Sequence, residues 1–273
     1  MRQHTVTFAN FLCHFGNANL LDLAEEVVIP AILKSRVRRY GETSYRLHDT
    51  KLENLGNDEK PKLALTGQFI KTLSLTRSQI YVDGKGIEKS EASIESAPSV
   101  FFVLYLHNHR LVYFAETAFA PDLKAFSATV QRFLLDAHCE YVNKIYKARR
   151  SAGEKVTKRE IYIETPKPIV SIVPLPSHDD IASFINRYAK LKKIRFKLLK
   201  PNADIEGHKL WEDFRSYQSP LMPEVMVVDV YNPNGIPKPA AIGHVSDAAK
   251  SGNQIISLSG QDKDGNSVNG NND

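Results

Sequence analysis

The sequence predicts an α+β fold: a mixed, mainly antiparallel sheet with a central hairpin covered by one long helix, and with room for ferredoxin-like split units. Three observations carry this reading. First, Val100–Leu106 and Leu111–Ala115 are apolar runs rich in Val, Phe and Tyr, joined by His107-Asn108-His109-Arg110. Such runs favour a pleated, half-buried surface, and a short polar link between them reads as an antiparallel hairpin. Second, Leu123, Phe126, Val130, Phe133, Leu134, Ala137, Tyr141, Val142 and Ile145 recur in three- and four-residue steps, which marks a helix over Asp122–Tyr146 facing that hairpin. Third, hairpin, helix, strand, helix and strand follow one another up to Leu199, an order that belongs to α/β or α+β proteins.

Taken in order, Thr5–Cys13 is expected as a first strand, and Asn17 or Asn19 caps a helix over Leu20–Leu33. Pro30 should kink that helix or end its first part. Residues 41–62 are polar, with turn signals at Leu55–Asp58 and Lys60-Pro61. Lys62–Leu75 reads as strand bent at Gly67 by a bulge, and Ile80–Ile87 as a short hairpin around Asp83-Gly84-Lys85-Gly86. Glu88–Pro98 is expected to be a polar connection. Pro121 and Asp122 suit the first turn of the long helix. Lys147–Glu160 has no apolar face and is expected as an exposed, mobile loop or a domain boundary. Ile161–Leu175 is strand material, and Ser177 caps a helix over His178–Leu191. In Ile194–Leu198 the apolar residues alternate with Arg195 and Lys197, so that strand has one buried face and one basic face. Val225–Val230 is a further buried strand. Ile255, Ile256 and Leu258 lead into a turn at Asp262–Asn266 whose second arm scarcely begins, and Asn269–Asp273 is expected to be disordered. Composition thus divides the chain into an N-terminal α/β region (1–98), a central α+β region with the basic strand (99–250) and a partial hairpin with a disordered tail (251–273).

Thirty-six Lys and Arg against 31 Asp and Glu give a net charge of +5 in 273 residues, which permits a polyanionic partner without demanding one. Two cysteines, Cys13 and Cys139, make no disulfide framework. The N-terminal apolar stretch is broken by Asn10 and His14 and is followed by no small-residue cleavage site, so it does not read as a signal peptide. No segment has the ~18–20 continuous apolar residues that span a bilayer. The expectation is a cytoplasmic protein with reduced thiols and no membrane partner.

The order of the Val100–Ala115 hairpin, the Asp122–Tyr146 helix, the basic strand Lys192–Leu199 and the ending Ser251-Gly252-Asn253…Gly260-Gln261-Asp262-Lys263-Asp264-Gly265 resembles an uncharacterised family of bacterial accessory-genome proteins, from Phe101 onward. The resemblance implies a bacterial source and a role in antiviral defence against phage or mobile elements. It carries no catalytic residues over. The early end of the second hairpin arm departs from the pattern and leaves open completion by another chain.

The chemistry with the broadest support is phosphate binding. Lys190, Lys192, Lys193, Arg195, Lys197 and Lys200 place six cations in eleven positions. Lys144, Lys147, Arg149, Arg150, Lys155, Lys158 and Arg159 form a second group, and Arg36, Arg38 and Arg39 a third. Such groups bind phosphate backbones by neutralisation and counterion release, and Tyr141, Tyr146, Tyr188 and Phe196 lie among them as stacking candidates. A solvated strand face that protects a sheet edge would look the same in sequence. Against enzymatic readings, His107-Asn108-His109 lacks a completing carboxylate and reads as a polar turn. Cys13-His14 and His138-Cys139 are adjacent pairs whose side chains diverge in regular structure, which argues against zinc. A Mg²⁺-dependent nuclease would need clustered carboxylates, for which Asp83 with Glu88, or Glu224 with Asp229, are the candidates; Glu164 and Lys167 are spaced onto opposite faces of a strand. Asp262–Asn266 and Asp83–Gly86 read as turns rather than calcium or phosphate loops. No cofactor motif, nucleophile elbow or Cys/His signature is present. The function expected is a non-enzymatic, largely sequence-independent nucleic-acid-binding component of a bacterial multi-protein system. The alternatives are a subunit that binds an effector or toxin through the incomplete C-terminal hairpin, and a divergent nuclease.

Overall fold

A computed structural model describes residues 6–57, 60–200 and 225–272. The fold is mixed α+β, with an extensive antiparallel sheet and a second, four-stranded sheet. The chain forms two compact units: Phe15–Leu106 with Val112–Pro168, and Thr7–His14 with His107–Leu111 and the described part of Ile169–Asp273. These units interleave along the chain. The reason is pairing between distant segments: the Phe11 amide donates to the His109 carbonyl (2.8 Å) and the Leu175 amide to the Phe8 carbonyl (2.8 Å).

In the first unit, strands β3 (Val37–Tyr40), β4 (Thr43–Asn54), β5 (Leu63–Val82), β7 (Ser99–Tyr105) and β8 (Arg110–Ala115) lie in the order β8-β7-β5-β4-β3. The central hairpin is therefore β7–β8. The helix α2 (Leu123–Ser151) covers it through Phe126, whose ring meets Phe69, Phe102 and Tyr113 at 5.2, 5.2 and 5.4 Å between centroids. The Asp122 side chain caps α2 by accepting from the Ala125 amide at 2.8 Å. The run 20–33 is helical but changes its winding, from a 3-10 turn (Leu20–Leu23) through a π turn (Ala24–Val28) to α1 (Ile29–Leu33). Pro30 in α1 lacks an amide and crowds the preceding turn, and the wide π turn immediately upstream makes room for its ring.

Several segments differ from expectation. Polar residues 43–54 form β4, which carries the bulge, at Asp49 and Thr50 opposite Gly67 of β5. Gly67 has φ +158°, and a Cβ there would lie 2.7 Å from Thr50 Cγ2, so the glycine admits the bulge of its neighbour. Residues 88–96 are not a connection but continue strand β6 (Gly86–Ser96), which pairs with the distal half of β5 into a long two-stranded arm whose tip is the expected Ile80–Ile87 hairpin. With both sides of this arm largely exposed, its sequence shows no clean apolar alternation, which is why it reads as loop. Residues 147–160 are not a mobile loop. Helix α2 runs to Ser151, and α3 (Lys158–Glu164) follows behind a Thr157–Glu160 capping box, so Ile161–Glu164 is helical rather than strand.

The second unit contains most of β1 (Val6–Phe15) paired with β9 (Pro168–Pro174), then α4 (His178–Asn186), β10 (Lys190–Leu199), β11 (Val225–Tyr231), α5 (Lys238–Ser251), β12 (Gln254–Gln261) and β13 (Ser267–Asn271). The last four strands form an antiparallel sheet in the order β11-β10-β12-β13. Strands β11 and β12 run parallel with β10 between them and α5 connecting them, which is one split βαβ unit. The described tail, as far as Asn272, is ordered, and a second hairpin arm forms within this chain. Strand β13 pairs from Ser267 to Asn271, and the Asn272 side chain accepts from the Ile256 amide (2.7 Å) and donates to the Gln254 carbonyl (3.2 Å). Gly270 lies against the Phe184 ring where a Cβ would collide. The polar composition of 267–272 hides this, because an unpaired strand edge recruits backbone rather than side chains.

Candidate nucleic-acid interface

Strand β10 lies between β11 and β12, and its two faces have opposite chemistry. Ile194, Phe196 and Leu198 point inward and are buried with Ile181 and Ile185 of α4, Val245 and Ala248 of α5, and Ile256 and Leu258 of β12. Helices cover that face. The opposite face carries Arg195 and Lys197 by simple alternation.

A bulge adds to it. Leu191 pairs with Gly260 and Lys193 with Ser259, so Lys192 is one residue in excess on β10. Leu191 and Ile194 are both buried, while Lys192 and Lys193 between them are both partly exposed. The extra residue thus sets two consecutive lysines on the outer face, where strict alternation would place only one. With Lys190, the outer face carries five of the six cations expected in this segment. Lys200 lies beyond the strand end, its carbonyl bonded to His14 Nε2 at 2.8 Å.

Cross-strand partners share a face in an antiparallel sheet. Opposite Lys193 and Arg195 on β11 stand Tyr231 and Asp229; on β12 stand Ser259 and Ser257; beyond them on β13 are Asn269 and Asn271. Asp229 is gripped by Arg195 through a two-point fork (Nε–Oδ1 2.7 Å, Nη2–Oδ2 2.8 Å) and by Lys193 Nζ at 3.0 Å. The fork first, then the lysine, holds the Asp229 carboxyl well below the usual carboxylate range. Lys190, Lys192 and Lys197 make no ion pair among the described residues. At one end of the face Leu199 is buried with Leu12 and Val173, with Ile255 packed on them, which closes that end. Tyr231, 65% exposed, marks the open end.

The other expected cations are not assembled in this way. Arg149 forks onto Glu164 (2.8 and 3.1 Å) and Lys158 sits over the Tyr146 ring at 5.6 Å, so these groups tie α3 to α2. Lys144, Lys147 and Arg150 lie on α2, Arg159 on α3 and Lys155 in the link between them. Arg36, Arg38 and Arg39 diverge. Arg36, only 11% exposed, pairs with Glu140 at 3.0 Å. Arg38 lies over the Tyr40 and Tyr45 rings and donates to Thr129 Oγ1 (3.4 Å), and Arg39 is exposed on the other face of β3. Two proposed stacking residues, Tyr188 and Phe196, are buried; the Tyr188 hydroxyl donates to the Leu258 carbonyl. The sequence reading missed Tyr231, Ser257, Ser259, Asn269 and Asn271, because period-two alternation does not reveal which strands are neighbours.

The enzymatic candidates fare differently. His109 is a buried turn residue at φ +56°. Burial pushes the Cys13 thiol up to about 12, which keeps it protonated at neutral pH. His138 Nε2 meets the Thr165 carbonyl at 3.0 Å, and desolvation holds its pKa below the ordinary value. Asp83 and Glu88 flank the tip of the β5–β6 arm, Asp229 is engaged by two cations, and Glu224 lies outside the described residues. The Asp262 carboxylate accepts from the amides of Asp264 and Asn266 within its own turn. Among the described residues no three His, Cys, Asp or Glu side chains gather as a metal site, and no helix is long and apolar enough to cross a membrane. No family model matches the sequence, and none of the curated proteins compared with it matches either.

Proposed function

We propose that this protein is a non-enzymatic, largely sequence-independent nucleic-acid-binding component of a bacterial multi-protein system. One observation carries the proposal: Lys190, Lys192, Lys193, Arg195 and Lys197 share the outer face of a single strand, with the carboxylate of Asp229 held between two of them. A line of cations on a rigid, helix-backed sheet neutralises successive phosphates without reading bases, which gives affinity that is broad in sequence and steep in salt. The setting in antiviral defence rests on the resemblance of the Phe101-to-C-terminus segment alone.

The test is a mobility-shift titration with DNA and RNA at low and moderate salt, comparing the native protein with the variant carrying Lys192, Lys193, Arg195 and Lys197 all changed to Ala. Salt-sensitive binding that the variant loses supports the proposal. Absence of a shift at low salt overturns it, as does equal binding by the variant. Mg²⁺-dependent cleavage in the same lanes would replace the non-enzymatic reading with a nuclease.

A protein partner is a second reading, favoured by the arm rather than by the C-terminal hairpin. Tyr81, Ile87 and Ile94 are 74, 72 and 66% exposed along β5–β6, a density of apolar surface that marks interaction sites. Co-purification of a neighbouring gene product that is lost when Tyr81 and Ile87 become Ser would support it.

A further inference from the structure

Resting on the phosphate-binding reading of the β10 face, we infer that the ligand of this surface is single-stranded nucleic acid, with bases laid across the sheet and one base stacked on Tyr231. Three features of the face lead there.

The first is shape. Four strands at ~4.8 Å spacing make a face about 14 Å across before side chains are added. The major groove of a duplex, ~12 Å wide, admits a helix or a two-stranded ribbon. A four-stranded face backed by two helices does not enter it, and it would touch a duplex only along the convex backbone. An extended single strand lies flat on such a surface.

The second is the order of chemistry across the strands. The cations line one strand, with alternate residues ~6.8 Å apart, a step suited to the stretched backbone of a single strand. Beside that line Ser257, Ser259, Asn269 and Asn271 offer hydroxyls and amides, which both donate and accept. Asn269 and Asn271 are exposed, alternating with Val268 and Gly270 on the covered side. Hydroxyl and amide groups of this kind are suited to Watson–Crick edges, which a duplex keeps paired and a single strand presents.

The third is Tyr231. It stands directly opposite Lys193, whose ammonium is held by Asp229, and is 65% exposed at the open end of the face, so its ring lies beside the line of cations on β10. Base–aromatic stacking tolerates any base, which keeps the site indifferent to sequence. Asp229 opposes phosphate at its own position, so the backbone path runs along Lys190, Lys192 and Lys197, while Asp229 orients Arg195 and Lys193.

The experiment measures anisotropy of labelled 15-nucleotide oligo(dT) and oligo(U), and of a 15-base-pair mixed-sequence duplex, with the full chain at one low salt concentration. Single strands are expected to bind at least tenfold more tightly than the duplex. Tyr231→Ala should weaken single-strand binding fivefold or more, and Tyr231→Phe should retain it, since the ring and not the hydroxyl stacks. Equal or tighter duplex binding overturns the inference while leaving the phosphate-binding face intact, and so does a Tyr231→Ala variant that binds as the native protein does. If no probe binds, the proposed function itself falls. A preference between oligo(dT) and oligo(U) of tenfold or more assigns the single strand to DNA or to RNA, and comparable binding assigns the site to both.

Discussion

Two stretches of similar charge density meet opposite fates in this chain. Along Lys144–Arg159 the cations are distributed around two helices, where Arg149 forks onto Glu164 and Lys158 covers Tyr146. Along Lys190–Lys197 a strand, helped by one bulge, brings five cations onto one side. A helix turns its side chains through about 100° per residue, so consecutive lysines scatter, whereas a strand with one face buried has a single outward direction for every remaining side chain. Charge density alone therefore does not align cations; a strand with one buried face does.

The largest effect that would test this comparison concerns the inner face of β10. Phe196→Ala should cost about 3–5 kcal/mol of stability by urea denaturation, because a large buried ring leaves a cavity between the sheet and its helices. A negligible cost would mean that the two faces have been assigned the wrong way round.

Removing one outer cation should leave stability unchanged and alter binding instead. Lys197→Ala is expected to reduce the slope of log affinity against log salt by about 0.7 for single strands. Arg150→Ala, on the helical cluster, should leave that slope where it was. Equal losses from both variants would erase the distinction between strand and helix.

Within the helical cluster, the Thr157 side chain accepts from the Glu160 amide at 3.3 Å, and Thr157→Ala should cost about 1 kcal/mol as an N-cap loss, read from thermal unfolding. Nucleic-acid affinity should not change. Asp229→Asn sharpens the other side of the comparison: with the carboxylate gone, Arg195 and Lys193 turn to phosphate, and affinity should rise two- to threefold by anisotropy. A fall would show that Asp229 positions the fork more than it competes with the ligand.

The smallest effect is a pH dependence centred on His138 of α2. Burial lowers the His138 pKa below its ordinary 6.5, with Lys167 adding to the effect and the Thr165 carbonyl opposing it. In the unfolded chain this imidazole takes up a proton near 6.5 while the folded one does not, so its contribution is present above that value and is lost as pH falls below it. Stability measured from pH 7.5 down to 5.5 should decline, and His138→Gln should flatten the decline. An unchanged profile would place the titrating group elsewhere.

The parts of this protein that could be read from the residues are those in which one buried face dictates a period. The Phe126-bearing helix, the Val100–Ala115 hairpin and the in–out alternation of Ile194–Leu198 all follow from burying apolar area on one side of a helix or strand. Even the basic face of β10 was legible from Arg195 and Lys197. Beyond its Ile80–Ile87 tip, which reads as a hairpin, the two-stranded arm was not, nor were β4 and β13, because mostly polar strands owe their existence to backbone pairing, which any sequence without proline can supply. Composition likewise determined that cations crowd into three short stretches. Tertiary structure alone decided which of them face one way, since a single bulge at Lys192, a carboxylate 34 residues away from Arg195 at Asp229, and the neighbours Tyr231, Ser257 and Asn269 are set by strand register, a relation between distant segments that no local pattern encodes.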